Sequence, residues 1–275
     1  MPELPEAETI VRGIRTPVVG RTIQRVRVIH SDVLRQPTRL VRSRAIGATI
    51  SGVGRRGKNV LIEVGERGLI AVNLGMTGGL LPFPSPPERN ARPSHQAVVF
   101  TFESGGILVF NDTRRFGTVE VLTTDEWAER SGRMGPEPLS ADFTPEHLFE
   151  RTQRSRAPMR SWLLDQKKIA GVGNIYAAEA LFLSGVHPQE PAHNVPPERA
   201  GALHGHLRDV LNAAIDAGGT TIKDYRNAEG GSGEYARKLW VYGRDGEPCL
   251  TCGETIVRVV FSNRSAFFCP RCQPQ

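Results

Sequence analysis

Residues 249–272 read CLTCGETIVRVVFSNRSAFFCPRC and hold all four cysteines of the chain: Cys249, Cys252, Cys269 and Cys272, spaced C-x2-C-x16-C-x2-C. Four cysteines can make two disulfides or one metal site. The acidic N-terminus carries no apolar segment of the kind that directs secretion, which favours reduced thiols. Two CxxC knuckles flanking a β-rich run can then gather four thiolates around one tetrahedral Zn2+. Such a set leaves no open coordination position, so the zinc is expected to be structural. Its work is to hold rigid a hairpin too small to fold alone, with TIVRVVF and SAFFC as arms and SNRS as turn. Arg264 falls in that turn, where it is either idle in solvent or a guanidinium presented on a stiff arm.

The chain has 275 residues, 39% of them hydrophobic, and a formal net charge of +6. That length can bury a large core and suits two domains. The apolar runs are too short to span a membrane. The charge is unevenly spread. Residues 12–44 contain nine arginines against a single acid, Asp32. With other basic clusters, this block suits a polyanionic partner, nucleic acid above all.

Residues 4–15 (LPEAETIVRGIR) place Leu4, Ala7, Ile10, Val11 and Ile14 at helical spacing. From 21 to 122 short β-branched runs follow one another: TIQRVRVI, ATISGV, NVLIEV, LIAVNL, AVVFTF, GILVFN and TVEVL. Consecutive strands with no helix between them predict an antiparallel sandwich or barrel. The stretch 82–94, PFPSPPERNARPS, reads as a surface loop. After about residue 130 the pattern turns helical: TPEHLFERTQ with Thr144 as cap, APMRSWLLDQKK, NIYAAEALFLSG, and PPERAGALHGHLRDVLNAAIDAGG. Between the second and third of these lies QKKIAGVGN, with Asn174 at a helix cap. It is either a tight interhelical turn or a backbone N–H cradle for phosphate. The fold class is thus α+β and multidomain.

The ordered set MPELPEAE (1–8), GRRGK (54–58), NLGMTG (73–78), NDTRRFG (111–117), GVGNIYAAEALF (171–182), GGTTIKDY (218–225) and the four-cysteine motif resembles the bacterial formamidopyrimidine-DNA glycosylases over essentially the whole chain. PELPE, rather than the PEGPE common in the related endonuclease VIII branch, favours the purine-repair branch. The resemblance implies a catalytic β-sandwich domain at 1–130 and a helix-two-turns-helix domain at 131–237, with a lesion-recognition loop near 218–235. A zinc finger would fill 238–275. It further implies a bifunctional glycosylase and AP lyase of base-excision repair. Such an enzyme removes 8-oxoguanine and formamidopyrimidines from damaged double-stranded DNA, through a Schiff base on the N-terminal proline and β,δ-elimination. A monomer with one structural zinc is implied, cytoplasmic and nucleoid-associated, with no membrane partner.

The chemistry of residue 2 agrees with that implication. Removal of Met1 would leave Pro2 as a secondary amine of pKa about 8, against about 10.4 for lysine, and hence far more often neutral near pH 7. The iminium it forms has no N–H to lose and remains an electron sink. By resemblance, Glu3 is the general acid/base and Glu6 a supporting carboxylate that shuttles protons or holds the amine. Lys58 is a proton donor in β-elimination, and Arg264 grips phosphate and assists δ-elimination. Met76, Arg114 and Phe116 fill the space left by the everted nucleotide. Unaided, Met76 and Phe116 would read as core. Thr220, Thr221, Ile222, Lys223 and Tyr225 belong to the lesion loop. His95, Asn174, Arg156 and Tyr242 contact DNA. The chain departs from the family pattern at Asn73 (often His), at Ala97 (the second His of HDH) and at Ser155 (a phosphate-contacting Lys). The alternatives are an endonuclease VIII-like enzyme for oxidised pyrimidines and a non-catalytic zinc-containing DNA-binding protein.

Overall fold

The computed structural model describes residues 2–222, 225–228, 230–261 and 263–275. Two compact units emerge. One comprises the chain up to Arg133 together with Ile215–Ala236, the other Met134–Ala214 with Arg237–Gln275.

In the first unit, helix α1 (Leu4–Val18) starts from Glu3 with Pro5 in its first turn and acidic Glu6 at the positive end of its dipole. Leu4, Ala7, Ile10, Val11 and Ile14 are buried at helical spacing, as the sequence predicts, and the helix runs one further turn to bury Val18. Strand β1 is Ile23–Val28. Helix α2 (Thr38–Ala45) follows, where the sequence reading expected strands alone. Its inward face is Val41 and Ala45, four residues apart; the arginines around them hid that period. Then come β2 (Gly52–Arg56), β3 (Asn59–Glu63), β4 (Leu69–Asn73), β5 (Gly78–Phe83), β6 (Gln96–Phe102), β7 (Ile107–Asp112) and β8 (Thr118–Leu122).

Two antiparallel four-stranded sheets result, in the orders β1-β6-β7-β5 and β2-β3-β4-β8. Strand β5, not anticipated, lies at a sheet edge, which is where Pro82 can be tolerated. Side chains of α1 and both sheets share one core, including Ile10, Ile14, Ile62, Val72, Phe100 and Phe110. Helix α3 (Thr124–Gly132) begins before residue 130, earlier than predicted. A reciprocal cap sets its start: Glu126 N–H donates to Thr123 Oγ1 (3.2 Å) and Thr123 N–H to Glu126 Oε2 (2.8 Å).

In the second unit, α4 (Pro145–Gln153) is capped by Thr144 as predicted, with His147 N–H donating to its hydroxyl at 3.2 Å. Helix α5 (Met159–Leu164) is shorter than the 157–168 reading. Helix α6 (Asn174–Leu183) is buried almost all round and forms the centre of the unit. Its N-cap is Gly173, not Asn174, which occupies the first helical position. Helix α7 is Pro197–Asp216, and β9 (Val257–Phe261) pairs with β10 (Arg264–Phe268). Arg264 therefore opens β10 opposite Phe261 rather than lying in the turn. Asn263, at φ 60°, takes the left-handed position instead.

Candidate active site and DNA interface

At the N-terminus of α1, Pro2, Glu3 and Glu6 are all buried, both carboxyl-bearing residues with 1% exposure. Glu3 N–H donates to Glu6 Oε2 at 2.7 Å, closing the first turn. The other oxygen, Oε1, accepts the Thr220 N–H at 2.8 Å, from a segment more than two hundred residues away. The sequence reading set the 218–235 loop within the helix-two-turns-helix domain; the described residues of that stretch group with the N-terminal unit. Tyr225 is buried with its hydroxyl 3.5 Å from the Glu6 carbonyl. The Thr221 hydroxyl donates to Tyr225 O (3.0 Å) and accepts Gly233 N–H (2.9 Å). Ile222 is 49% exposed, and Lys223 lies outside the described residues. Lys58 is half-buried in the two-residue turn joining β2 and β3, after Gly57 at φ 57°. Glycine is what such a turn needs at its first position.

Arg114 and Phe116 project from the loop between β7 and β8. Both are exposed, and the guanidinium stacks on the ring. Buried Asp112 shapes this loop: Oδ2 accepts Gly117 N–H (2.8 Å), and Oδ1 accepts Arg114 N–H (3.3 Å) and the Thr77 hydroxyl. Thr77 follows half-exposed Met76, so one carboxylate ties both loops together. Asn73 shapes the second of them, with Oδ1 accepting Gly75 N–H (3.1 Å) and Nδ2 donating to Asn59 Oδ1 (3.1 Å). His95 is exposed ahead of β6. Ala97 is fully buried in the core, so this position faces inward.

In the second unit Asn174 joins the hairpin. Its Nδ2 donates to Ser265 O at 2.8 Å, next to Arg264. Arg160, which the sequence reading overlooked, completes a knot by donating from Nη2 to Asn174 Oδ1 (2.7 Å) and Ser265 O (3.0 Å). Burial, then the charge of Arg264, draws Arg160 below the usual arginine range. No carboxylate pairs with it among the described residues. Two guanidiniums thus gather at the positive end of α6, an arrangement suited to an anion. The clue in the sequence was one charge amid the apolar residues of MRSWLL.

Glu179, also overlooked, stands alone in YAAEALF. Its carboxylate accepts N–H groups of Trp240 (2.7 Å), Val241 (3.0 Å) and Tyr242 (2.9 Å), fastening the approach to the hairpin onto α6. Tyr242 packs on Phe267 at 4.8 Å between centroids. Arg156 is exposed, and Ser155 accepts the Ala157 N–H at 3.3 Å.

The Sγ atoms of Cys249, Cys252, Cys269 and Cys272 lie within 4.8 Å of one another, with Cys249–Cys272 at 3.9 Å and Cys252–Cys269 at 3.4 Å. These separations exclude disulfides. A tetrahedral site with Zn–S near 2.3 Å needs sulfurs roughly 3.8 Å apart, so the cluster fits one structural zinc. Burial raises the Cys249 thiol, but N–H bonds from Thr251 and Cys252, with bonds from the Cys269 and Cys252 thiols, together outweigh it and bring the group to about 7. Burial and the neighbouring thiols push Cys269 and Cys272 upward. A divalent cation is what lets all four ionise together.

Residues 1–119 match the formamidopyrimidine-DNA glycosylase N-terminal domain, 134–226 the H2TH domain of the same enzymes, and 246–275 the zinc finger found in FPG and IleRS. Sandwich, H2TH module and zinc finger together define a DNA-repair glycosylase and AP lyase. The formamidopyrimidine-DNA glycosylase of Synechocystis sp. is 42% identical over 288 residues, spanning 100% of this chain and 99% of that protein. That of Rhizorhabdus wittichii is 42% identical over 275 residues, spanning 99% and 100%. Among solved structures, Lactococcus lactis Fpg in complex with DNA containing an abasic site superposes with TM-score 0.91 at 31% identity, covering 99% of this chain and 100% of that one. MutM (Fpg) of Thermus thermophilus gives 0.88 at 37%, covering 100% and 99%. The chain belongs to the formamidopyrimidine-DNA glycosylase family.

Proposed function

We propose that this glycosylase removes oxidised purines, 8-oxoguanine and formamidopyrimidines, from damaged double-stranded DNA, and that Pro2 is its nucleophile. The observation that carries this reading is Pro2 itself, buried next to Glu3 and Glu6 at the positive end of α1. Once Met1 is removed, the Pro2 nitrogen bonds to the sugar C1′ as the base departs with a proton. Glu3 moves protons on the opening sugar. The resulting iminium acidifies C2′. Loss of that proton expels the 3′ phosphate, a second elimination expels the 5′ phosphate, and water then frees Pro2. Lys58 supplies a proton in the first elimination.

Arg264 and Asn174 hold the phosphate at the lesion, with Arg156, Tyr242 and His95 on flanking phosphates. Met76, Arg114 and Phe116 occupy the space of the everted nucleotide, and the 218–235 loop meets its base. The enzyme acts as a monomer in the bacterial cytoplasm, at the nucleoid. Among the described residues no helix is long and apolar enough to cross a membrane.

Borohydride added during turnover reduces the iminium to a stable amine. With an 8-oxoguanine:cytosine duplex, one cross-link is expected, on the N-terminal peptide at Pro2, and a thymine glycol duplex should trap less. A cross-link on an internal lysine, or equal trapping by protein retaining Met1, would overturn the assignment.

A further inference from the structure

Glu6 sits one helical turn beyond Glu3, where a second catalytic acid is the obvious reading. Its contacts indicate other work. Each carboxylate oxygen accepts a backbone N–H: Oε2 from Glu3 at 2.7 Å and Oε1 from Thr220 at 2.8 Å. Both donors aim at a carboxylate with 1% exposure, at a helix N-terminus that favours negative charge. The approach is cleared for it: Gly219, at φ 87°, would place a Cβ 3.0 Å from Glu6 Oε1 and from the Tyr225 ring. Tyr235 N–H, donating to Gly219 O at 3.2 Å, fixes the same peptide from its other side.

We infer that Glu6 is a positioning residue, whose carboxylate bridges the backbone beside the nucleophile to the first residues of the lesion loop and so holds both in one register. The inference rests on the Pro2 reading above. It assigns Glu6 an acceptor's role, with proton transfer left to Glu3. The span matters as much as the charge. Glutamine would turn an NH2 group toward one of the two N–H donors, and aspartate is a methylene too short to reach both.

The test compares wild type, Glu6→Gln and Glu6→Asp by amide hydrogen exchange and by steady-state excision of 8-oxoguanine. In both variants at least one of the two N–H groups, Glu3 or Thr220, is expected to exchange at least about tenfold faster in the free protein, the factor carried by one hydrogen bond to a charged acceptor. In both, kcat is expected to fall by a similar factor while KM moves less than about threefold, as befits lost alignment rather than lost binding. A proton shuttle gives a different pattern of activity: Glu6→Asp retains most of it and Glu6→Gln loses it. Unchanged exchange of both the Glu3 and the Thr220 N–H in Glu6→Gln overturns the inference by itself. Failure of the Pro2 reading is separately visible, as wild-type borohydride trapping at another residue.

Discussion

The guanidinium carbon of Arg114 lies 4.6 Å from the centroid of the Phe116 ring, and that ring is 56% exposed. An exposed cation–π pair is worth only about 0.5–1 kcal/mol. Neither side chain supports the core, and both are held out by the backbone bonds to Asp112. Phe116→Ala is therefore expected to leave stability within about 0.5 kcal/mol of wild type. Affinity for a duplex with an uncleavable abasic analogue should fall by about 1–2 kcal/mol, the scale of one lost stacking contact. Thermal melts alongside binding titrations check both. A loss of stability with unchanged affinity would return Phe116 to the structural role its sequence suggests.

Arg160 has the opposite profile. It is 2% exposed and buried beside another cation, and its hydrogen bonds fix Asn174 and the strand that begins at Arg264. Arg160→Met keeps the volume and relieves that repulsion but frees the Asn174 amide. The expected result is a folded protein whose DNA affinity is at least about tenfold weaker, equivalent to about 1.4 kcal/mol. Its salt dependence should also be shallower if a phosphate contact goes with it. Titrations at several salt concentrations give both numbers. Wild-type affinity would show that the knot does not organise the interface.

The contrast between these two residues marks how far the sequence was legible. Strands β3, β4, β6, β7 and β8, the Thr144 cap and the four thiols were readable because each rests on local period or spacing. Helix α2 was hidden because a helix needs few buried positions, here Val41 and Ala45, and its arginines masked them. Asp112, Arg160 and Glu179 were overlooked for a different reason. Each is a single charge with backbone groups among its partners, and backbone N–H and C=O groups leave no mark in a sequence. The docking of Thr220 on Glu6 was likewise beyond reach, since nothing local links positions so distant along the chain.

Zinc removal tests the hairpin. Chelation, or Cys272→Ser, is expected to release one zinc per chain and unfold residues 249–272, because a segment this short is held by its metal. DNA binding should be lost with the placement of Arg264, while the far-ultraviolet signal of the sheets persists. Metal analysis, circular dichroism and binding measured on one preparation check the set. Full affinity in zinc-free protein would exclude a role for the hairpin in holding DNA.

His187 makes stability depend on pH. Its ring meets Phe268 edge-on at 4.7 Å, and Nδ1 accepts the Gln189 N–H at 3.2 Å. Burial holds its pKa below the ordinary 6.5. The unfolded chain therefore takes up a proton near 6.5 while the folded protein stays neutral. The stability this residue contributes is present above 6.5 and is lost as pH falls from there to the folded value. In saturating zinc, urea unfolding at about pH 7.5 and about pH 5.5 should show a smaller acid-side loss for His187→Phe than for wild type. Equal losses would mean that His187 is protonated in the folded state.

Gly13 and Ala228 meet so closely that a Cβ on Gly13 would lie 2.6 Å from the Ala228 Cβ. Gly13 is in the middle of α1, where replacing glycine by alanine ordinarily stabilises a helix by about 1 kcal/mol. Here the sign should reverse. Gly13→Ala must push the 225–228 backbone away from α1, at an overpacking cost of about 1–3 kcal/mol. Ala228→Gly reopens the space, so the double variant should recover most of the loss and leave a coupling energy of about 1 kcal/mol or more. Denaturant unfolding of the four proteins in this cycle measures it directly. Additive effects would mean that α1 and the 225–228 segment do not touch in solution, and the bridge from Glu6 to Thr220 would then lose the packing that supports it from behind.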